Sequence, residues 1–269
     1  MSQAPVMEDR RTSSDRRKPT SHPLAADLRA ALVTDTLELR FQPQFACADN
    51  ALVGAEALVR WEHGVQGSIA GDALFFIAGE SGLAQELGNH VRRAALAAAA
   101  HWRDDLRLSI NITAADLARD VFVSNILSEI SDSGFPATRL TLEITEQALV
   151  DELERSAGRL ARLAEYGVAI ALDDFGAGFC NFRYLKILPL DTIKLDRSMI
   201  EGIARDRRDL AVLRGIVAMA HALDLKVVAE GVETEAQRRA IREEGCASYQ
   251  GFIEAEPMAA ATFARMAAA

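Results

Sequence analysis

Short apolar runs rich in Val, Ile and Leu alternate with longer amphipathic segments from Leu24 to the end of the chain, the pattern of an α/β fold with a mostly parallel sheet. Strand-like runs occupy residues 37–42, 52–59, 106–112, 140–145, 168–173, 192–195, 226–230 and a short stretch at 248–250. Helical periodicity fills 91–102, 121–131, 152–166, 210–223 and 235–244, several of these closed by a glycine such as Gly134, Gly167 or Gly245. Eight strands with intervening helices point to a TIM-like (β/α)8 barrel. The first two runs are separated by only about nine residues, too few for a parallel crossover, so this pair is expected to form an antiparallel hairpin that makes the start of the barrel irregular.

What ends these runs is as informative as the runs themselves. The chain passes from 52–55 into Glu56, from 106–110 into Asn111, from 140–142 into Glu143, from 168–172 into Asp173-Asp174, from 192–193 into Lys194, and from 227–229 into Glu230. The carboxy-terminal ends of barrel strands are where such folds carry their chemistry. Carboxylates gathered around one mouth repel each other unless cations hold them, and hard divalent ions prefer oxygen ligands. A metal site is the economical reading. Taken alone, Asp173-Asp174 fits a solvated loop or helix cap better than a metal pair, and Lys194 alone reads as a strand-end surface charge. The set of endings argues otherwise.

Composition narrows the function classes. The chain has 269 residues, 49% hydrophobic and 26% charged, suited to one large domain. Residues 1 to about 22 are polar, charged and punctuated by proline, and are expected to be a flexible tail; 23–269 form the folded domain. The tail holds five Lys/Arg against three Asp/Glu, so within a net charge of −9 the body is more acidic still. That argues against binding polymeric nucleic acid or anionic membranes. Cys47, Cys180 and Cys246 are odd in number, without paired ligand spacing, which fits a reducing compartment. Arg92, Arg93 and His101 bracket the alanine-rich stretch 94–100, so no run reaches the roughly 18 residues of a membrane span. The N-terminus lacks an apolar signal core, and residence in the cytoplasm is expected. His63, His90, His101 and His221 are not arranged as zinc ligands, and Cys180 reads as a small buried filler rather than a redox switch.

Seven motifs follow one another in order: Glu56-Ala57-Leu58 with Arg60-Trp61, Asn111-Ile112-Thr113, Glu143-Ile144-Thr145-Glu146, Asp173-Asp174-Phe175-Gly176, Lys194-Leu195-Asp196-Arg197, Glu230-Gly231-Val232-Glu233-Thr234 and Gln250-Gly251-Phe252. Together they closely resemble the EAL-domain family of bacterial cyclic di-GMP phosphodiesterases, over about residues 39–257. The resemblance implies hydrolysis of one phosphodiester bond to linear pGpG with two Mg²⁺ or Mn²⁺ ions. Carried over, Glu56, Asn111, Glu143 and Asp173 would bind one ion, and Asp173, Asp174 and Glu230 the second. Lys194 would sit near the attacking water and the phosphate; whether it shifts toward neutrality is open at this stage. Arg60 would hold a phosphate oxygen through its guanidinium fork; taken alone, beside Trp61, it could be a cation–π pair, a reading that the order and spacing of the motifs outweigh. Gln42, Asp196, Glu233 and Gln250 would contact substrate or line the site; Glu233-Thr234 could instead merely open a helix, and a buried Gln250 could merely satisfy backbone groups.

The segment 175–181 resembles the family's mobile loop that links metal binding to dimer contacts, with Glu146 in the position of its anchor and homodimerisation expected through 179–186. Here the family's usual Thr is Ala177 and its small serines are Cys180 and Asn181, a change that could loosen the loop. Gly64 and Gly71 replace two common prolines, Thr113 stands for a serine, and Glu256 stands where a basic residue is common. These departures leave the implied metal ligands intact. A catalytically idle EAL domain acting as a cyclic di-GMP receptor or protein-interaction module is the competing reading.

Overall fold

The structure, a computed structural model, describes residues 22–149, 153–178 and 182–268. The expected tail therefore lies almost wholly outside the described residues. Among the described residues ten strands are present: β1 (Glu38–Ala46), β2 (Leu52–His63), β3 (Gly67–Ala70), β4 (Arg107–Ile112), β5 (Leu140–Thr145), β6 (Ala169–Phe175), β7 (Thr192–Leu195), β8 (Lys226–Ala229), β9 (Ser248–Tyr249) and β10 (Met258–Ala259). Eight of them close in the order β1, β2, β4, β5, β6, β7, β8, β9 and back to β1, while β3 and β10 are appended outside the ring. β1 runs antiparallel to both barrel neighbours, and the remaining barrel pairings are parallel. The TIM-like barrel with an antiparallel first strand is thus the observed architecture.

The helices are α1 (Ala25–Thr34), α2 (Gly71–Glu80), α3 (Ala84–Ala99), α4 (Ala114–Leu117), α5 (Phe122–Ser133), α6 (Leu153–Ala164), α7 (Arg183–Ile187), α8 (Arg197–Ile200), α9 (Arg207–Ala222), α10 (Glu235–Glu244) and α11 (Ala260–Ala267). Two boundaries differ instructively from the pattern reading. Helix α3 starts at Ala84 rather than at residue 91, because Leu87, Val91, Ala95 and Ala99 recur every fourth position and all are buried. Trp102 lies beyond its end, edge-on to Phe41 at 5.1 Å between ring centroids. Strand β1 runs on past Gln42 through Pro43. Its outer edge pairs with β10 at Arg40 and Phe41 and with β9 at Phe45 and Ala46, and Pro43 falls in the gap between those pairings, where a missing N–H is tolerated.

Two hydrophobic clusters hold the fold. The larger lies between the barrel and its surrounding helices. Along β5, Leu140, Leu142 and Ile144 belong to that layer, and strict alternation then turns Thr141, Glu143 and Thr145 into the lumen. The smaller cluster sits beside the barrel, where Leu28, Ala31, Leu74, Ile77, Leu83 and Leu87 cover Val59 and Trp61. It explains α1, α2 and β3, none of which the sequence pattern predicted: these segments are held by the tertiary burial of a few apolar residues against the extended end of β2. That end carries Arg60.

Candidate active site

The lumen-facing alternation brings the charged strand endings into one layer at the carboxy-terminal end of the barrel. Lys194, only 1% exposed, stands at its centre. Its Nζ lies 2.6 Å from Glu143 Oε2, 2.7 Å from Glu230 Oε1, 3.1 Å from Asp173 Oδ1 and 3.2 Å from Glu56 Oε2. One ammonium thus faces four carboxylates, three of them buried and Glu230 half-buried. Asn111 Nδ2 donates to Glu56 Oε1 at 2.7 Å. Gln250 Nε2 donates to Glu56 Oε2 at 2.8 Å and to Glu230 Oε1 at 3.0 Å.

Two adjacent aspartates in a regular strand would point to opposite faces. Here Asp174 adopts a left-handed backbone, φ 55°, and the β6–β7 pairing slips between Leu172 and Phe175. This local irregularity, unfavourable by about 1–2 kcal/mol for a residue with a Cβ, directs both carboxylates to the mouth. Potential ligand oxygens of Glu56, Glu143 and Asp173 lie within 4.8 Å of one another, as do those of Asp173, Asp174 and Glu230. Asp173 belongs to both groups, so the arrangement is a double oxygen cradle sharing one carboxylate.

The electrostatics match the charge imbalance. Burial pushes Glu230 up to about 8, reinforced by Asp173 and Glu56. Burial likewise raises Glu143 well above the usual carboxylate range and raises Asp173, in both cases against the pull of Lys194. Asp174 is pushed up to about 6 by partial desolvation and the Asp173 charge. For Glu56, burial also acts upward, but the Lys194 charge and hydrogen bonds from Gln250, Asn111 and Lys194 outweigh it and hold the group below its ordinary value. Burial alone would lower Lys194, yet Asp173, Glu143, Glu230 and Glu56 hold it well above its ordinary value. The surrounding carboxylates thus favour the charged form of Lys194.

The remaining candidates occupy the rim. Gln42 stands opposite Glu56 in the β1–β2 register. Arg60, four residues beyond Glu56 on β2, places Nη1 3.3 Å from Ser68 Oγ of β3. Asp196 caps α8 by accepting from the Ser198 backbone N–H at 2.9 Å. Glu233 is exposed and pairs with Arg197 at 3.0 Å. Glu146 opens the 3-10 turn Glu146–Leu149 directly after β5. Phe179, Cys180 and Asn181 lie outside the described residues, so the loop they belong to has no structural account. Glu233 thus stands apart from the buried layer, whereas Asp196 is near enough to Asp174 to help raise it. A cavity of about 610 Å³ opens at the opposite, amino-terminal face near Arg107, Asp191 and Lys226 and ends beneath Glu143 and Lys194. Glu143 and Lys194, each 1% exposed, form its inner end.

Gln44 was not among the sequence candidates. It is buried, and its Nε2 donates to Gln250 Oε1 at 3.0 Å. Alternation from Gln42 could have found it, had Pro43 not ended the apparent strand.

A family model described as the EAL domain matches residues 25–257. The chain belongs to the EAL-domain family. Among curated proteins it is 40% identical over 238 residues to the cyclic di-GMP phosphodiesterase NbdA of Pseudomonas aeruginosa, covering 86% of this chain and 30% of that protein. It is 36% identical over 241 residues to the bifunctional diguanylate cyclase/cyclic di-GMP phosphodiesterase MucR of the same organism, covering 88% of this chain and 35% of MucR. The chain thus spans about a third of the length of these relatives. Among solved structures, the MucR phosphodiesterase in complex with cyclic di-GMP superposes with a TM-score of 0.84 at 35% identity, covering 90% of this chain and all of that one. Among the described residues, no helix of this EAL domain is long and apolar enough to cross a membrane.

Proposed function

We propose that this EAL domain hydrolyses one phosphodiester bond of cyclic di-GMP to linear pGpG, using two Mg²⁺ or Mn²⁺ ions. The observation that carries the reading is the excess of carboxylate over cation in the barrel mouth: four acidic groups converge on Lys194, with Asp174 beside them. Such a layer lacks positive charge, and hard divalent ions are its natural complement. The donor set fits: Glu56, Asn111, Glu143 and Asp173 would hold one ion, and Asp173, Asp174 and Glu230 the other. Because Asn111 spends its amide N–H on Glu56, its carbonyl oxygen is the atom left for a ligand role. The names of NbdA and MucR, and the cyclic di-GMP in the MucR complex, support the substrate.

When bound, the ions supply Lewis acidity, which activates water and neutralises the phosphoryl oxygens. The side chains do the rest. Lys194 carries a fixed positive charge between the carboxylates, placed to orient the attacking water and stabilise charge developing on the phosphate. Arg60 offers a planar fork to a phosphate oxygen. Gln42 stands beside Glu56 at the substrate face, Asp196 accepts from a guanine edge, and Glu233 and Gln250 line the cleft. Glu146 anchors the loop after β6, and the protein works as a homodimer, to be checked by its scattering mass.

The test is incubation with cyclic di-GMP and Mg²⁺ or Mn²⁺, alongside an EDTA arm and the Glu56→Ala variant. Formation of pGpG only in the metal-supplied wild type is expected. Tight binding of the dinucleotide without turnover would replace the reading with that of a receptor, and turnover in EDTA would remove the metals from it.

A further inference from the structure

We propose that Gln44 is a positioning residue for this hydrolysis, acting on the carboxylate layer through Gln250; the inference rests on the functional reading above. The argument begins with the inventory of one amide. Gln250 is buried, and its Nε2 donates to Glu56 Oε2 at 2.8 Å and Glu230 Oε1 at 3.0 Å. Both hydrogens of that nitrogen are therefore used, each on a carboxyl oxygen. Glu56 belongs to the first ligand set and Glu230 to the second, so this one amide ties the two halves of the cradle together.

The amide has two orientations, and only one is useful. Turned over, Gln250 would present its carbonyl oxygen to both groups, taking one donor from each, beside those that Asn111 and Lys194 still supply, and adding repulsion against Glu56. The useful orientation turns Oε1 away from the layer, into the buried seam where β1 meets β9, and a buried carbonyl there needs a donor of its own. Gln44 provides it: Nε2 to Gln250 Oε1 is 3.0 Å, between two side chains of which Gln44 is 9% and Gln250 4% exposed. Here the chemistry of the partners, rather than the placement of indistinguishable atoms, decides which end is nitrogen. Strand β1 can make this contact because it closes the barrel: Phe45, next to Gln44, pairs with Tyr249, next to Gln250. Without Gln44 the amide has no preference enforced from behind, and part of the population turns its oxygen to the layer.

The decisive measurement is Mn²⁺ binding to the metal-free protein, by titration calorimetry without substrate, for wild type, Gln44→Met, Gln250→Met and the double variant, with thermal melts of each. Gln44→Met is expected to weaken Mn²⁺ binding about tenfold, the scale of one lost buried hydrogen bond, and hydrolysis is expected to recover at saturating Mn²⁺. In the Gln250→Met background the same substitution is expected to change nothing further, because the residue acts only through that amide. Gln44→Leu, read the same way, is the second variant should Gln44→Met melt early. Wild-type Mn²⁺ affinity in whichever variant folds, or a full tenfold loss repeated in the Gln250→Met background, would overturn the proposal while leaving the hydrolase reading in place. A wild type that binds no Mn²⁺ overturns the functional reading itself.

Discussion

Two buried ion clusters in this barrel are built on opposite principles. In the mouth, Lys194 faces four carboxylates, and among the described residues no other cation side chain pairs with them. Beside the barrel, Arg92 is 2% exposed and divides its guanidinium among Glu129 (2.9 Å from Nε), Asp116 (2.9 Å from Nη1) and Asn89 (2.5 Å from Nη2). Asp116 in turn closes the capping box of α4 by accepting from the Thr113 backbone N–H and hydroxyl. The Arg92 cluster is geometrically satisfied, with a planar fork matched to planar acceptors. The Lys194 cluster is buried and crowded with like charge, and burial first, then the neighbouring carboxylates, drives Glu143 and Glu230 up from their ordinary ionisation. A satisfied buried network holds shape, whereas an unbalanced one stores a demand for a ligand.

That contrast is most sharply tested by separating activity from stability. Asp173→Ala is expected to lower turnover by about a thousandfold or more, the scale of removing a central electrostatic group. Its metal-free melting temperature should equal or exceed wild type, since one surplus negative charge is gone. A large loss of stability would show that the mouth is structural. Arg92→Met is the converse: it leaves two carboxylates buried without their partner and is expected to cost about 3–5 kcal/mol, read by urea unfolding. Activity per folded molecule should survive at low temperature. If instead stability is unchanged while turnover collapses, the division between the two clusters is wrong.

A smaller effect comes from pH. Glu230, pushed up to about 8 by burial first and by Asp173 and Glu56 next, holds a proton in the folded metal-free protein that it loses from about 4.5 when unfolded. A raised folded-state value means stability that is complete below the unfolded value and lost as pH rises through the folded one. Asp174, Asp173 and Glu143 act in the same direction, while Glu56, held below its ordinary value, acts in the other. The melting temperature of the metal-free protein should therefore fall between about pH 5 and pH 8, and saturating Mn²⁺ should flatten the slope. A metal-free slope of the opposite sign would contradict this charge accounting. The smallest effect is expected for Gly88→Ala. A methyl there would sit 3.0 Å from Arg92 Nη1 and 3.3 Å from Asp116 Oδ1, and the crowding is partly offset by about 1 kcal/mol of helix propensity. A drop of about 2–4 °C with unchanged turnover would confirm that this network tolerates little slack.

Much of this architecture is legible in the linear chain because strand periodicity is strict. Once the apolar runs are recognised, Glu56, Asn111, Glu143, Asp173, Lys194 and Glu230 each follow a run, and the short connection before Leu52 requires a hairpin. What escapes the pattern shares a physical cause. Helices α1 and α2 and strand β3 are marginal by themselves and exist because Trp61 and Val59 need cover. Gln44 hides behind Pro43, whose missing N–H matters only relative to where β9 and β10 happen to pair.

Local alternation and chain connectivity alone dictate which residue types stand at the ends of the strands and in what order. How they meet depends on the closed barrel. It turned Asp174 to the same mouth as Asp173 through a left-handed backbone, set four carboxylates around the Lys194 ammonium, and oriented Gln250 by a contact with Gln44 across the barrel seam. Charge state and amide orientation depend on distances of a few ångströms between residues far apart in the chain, and such distances exist only after the barrel has closed.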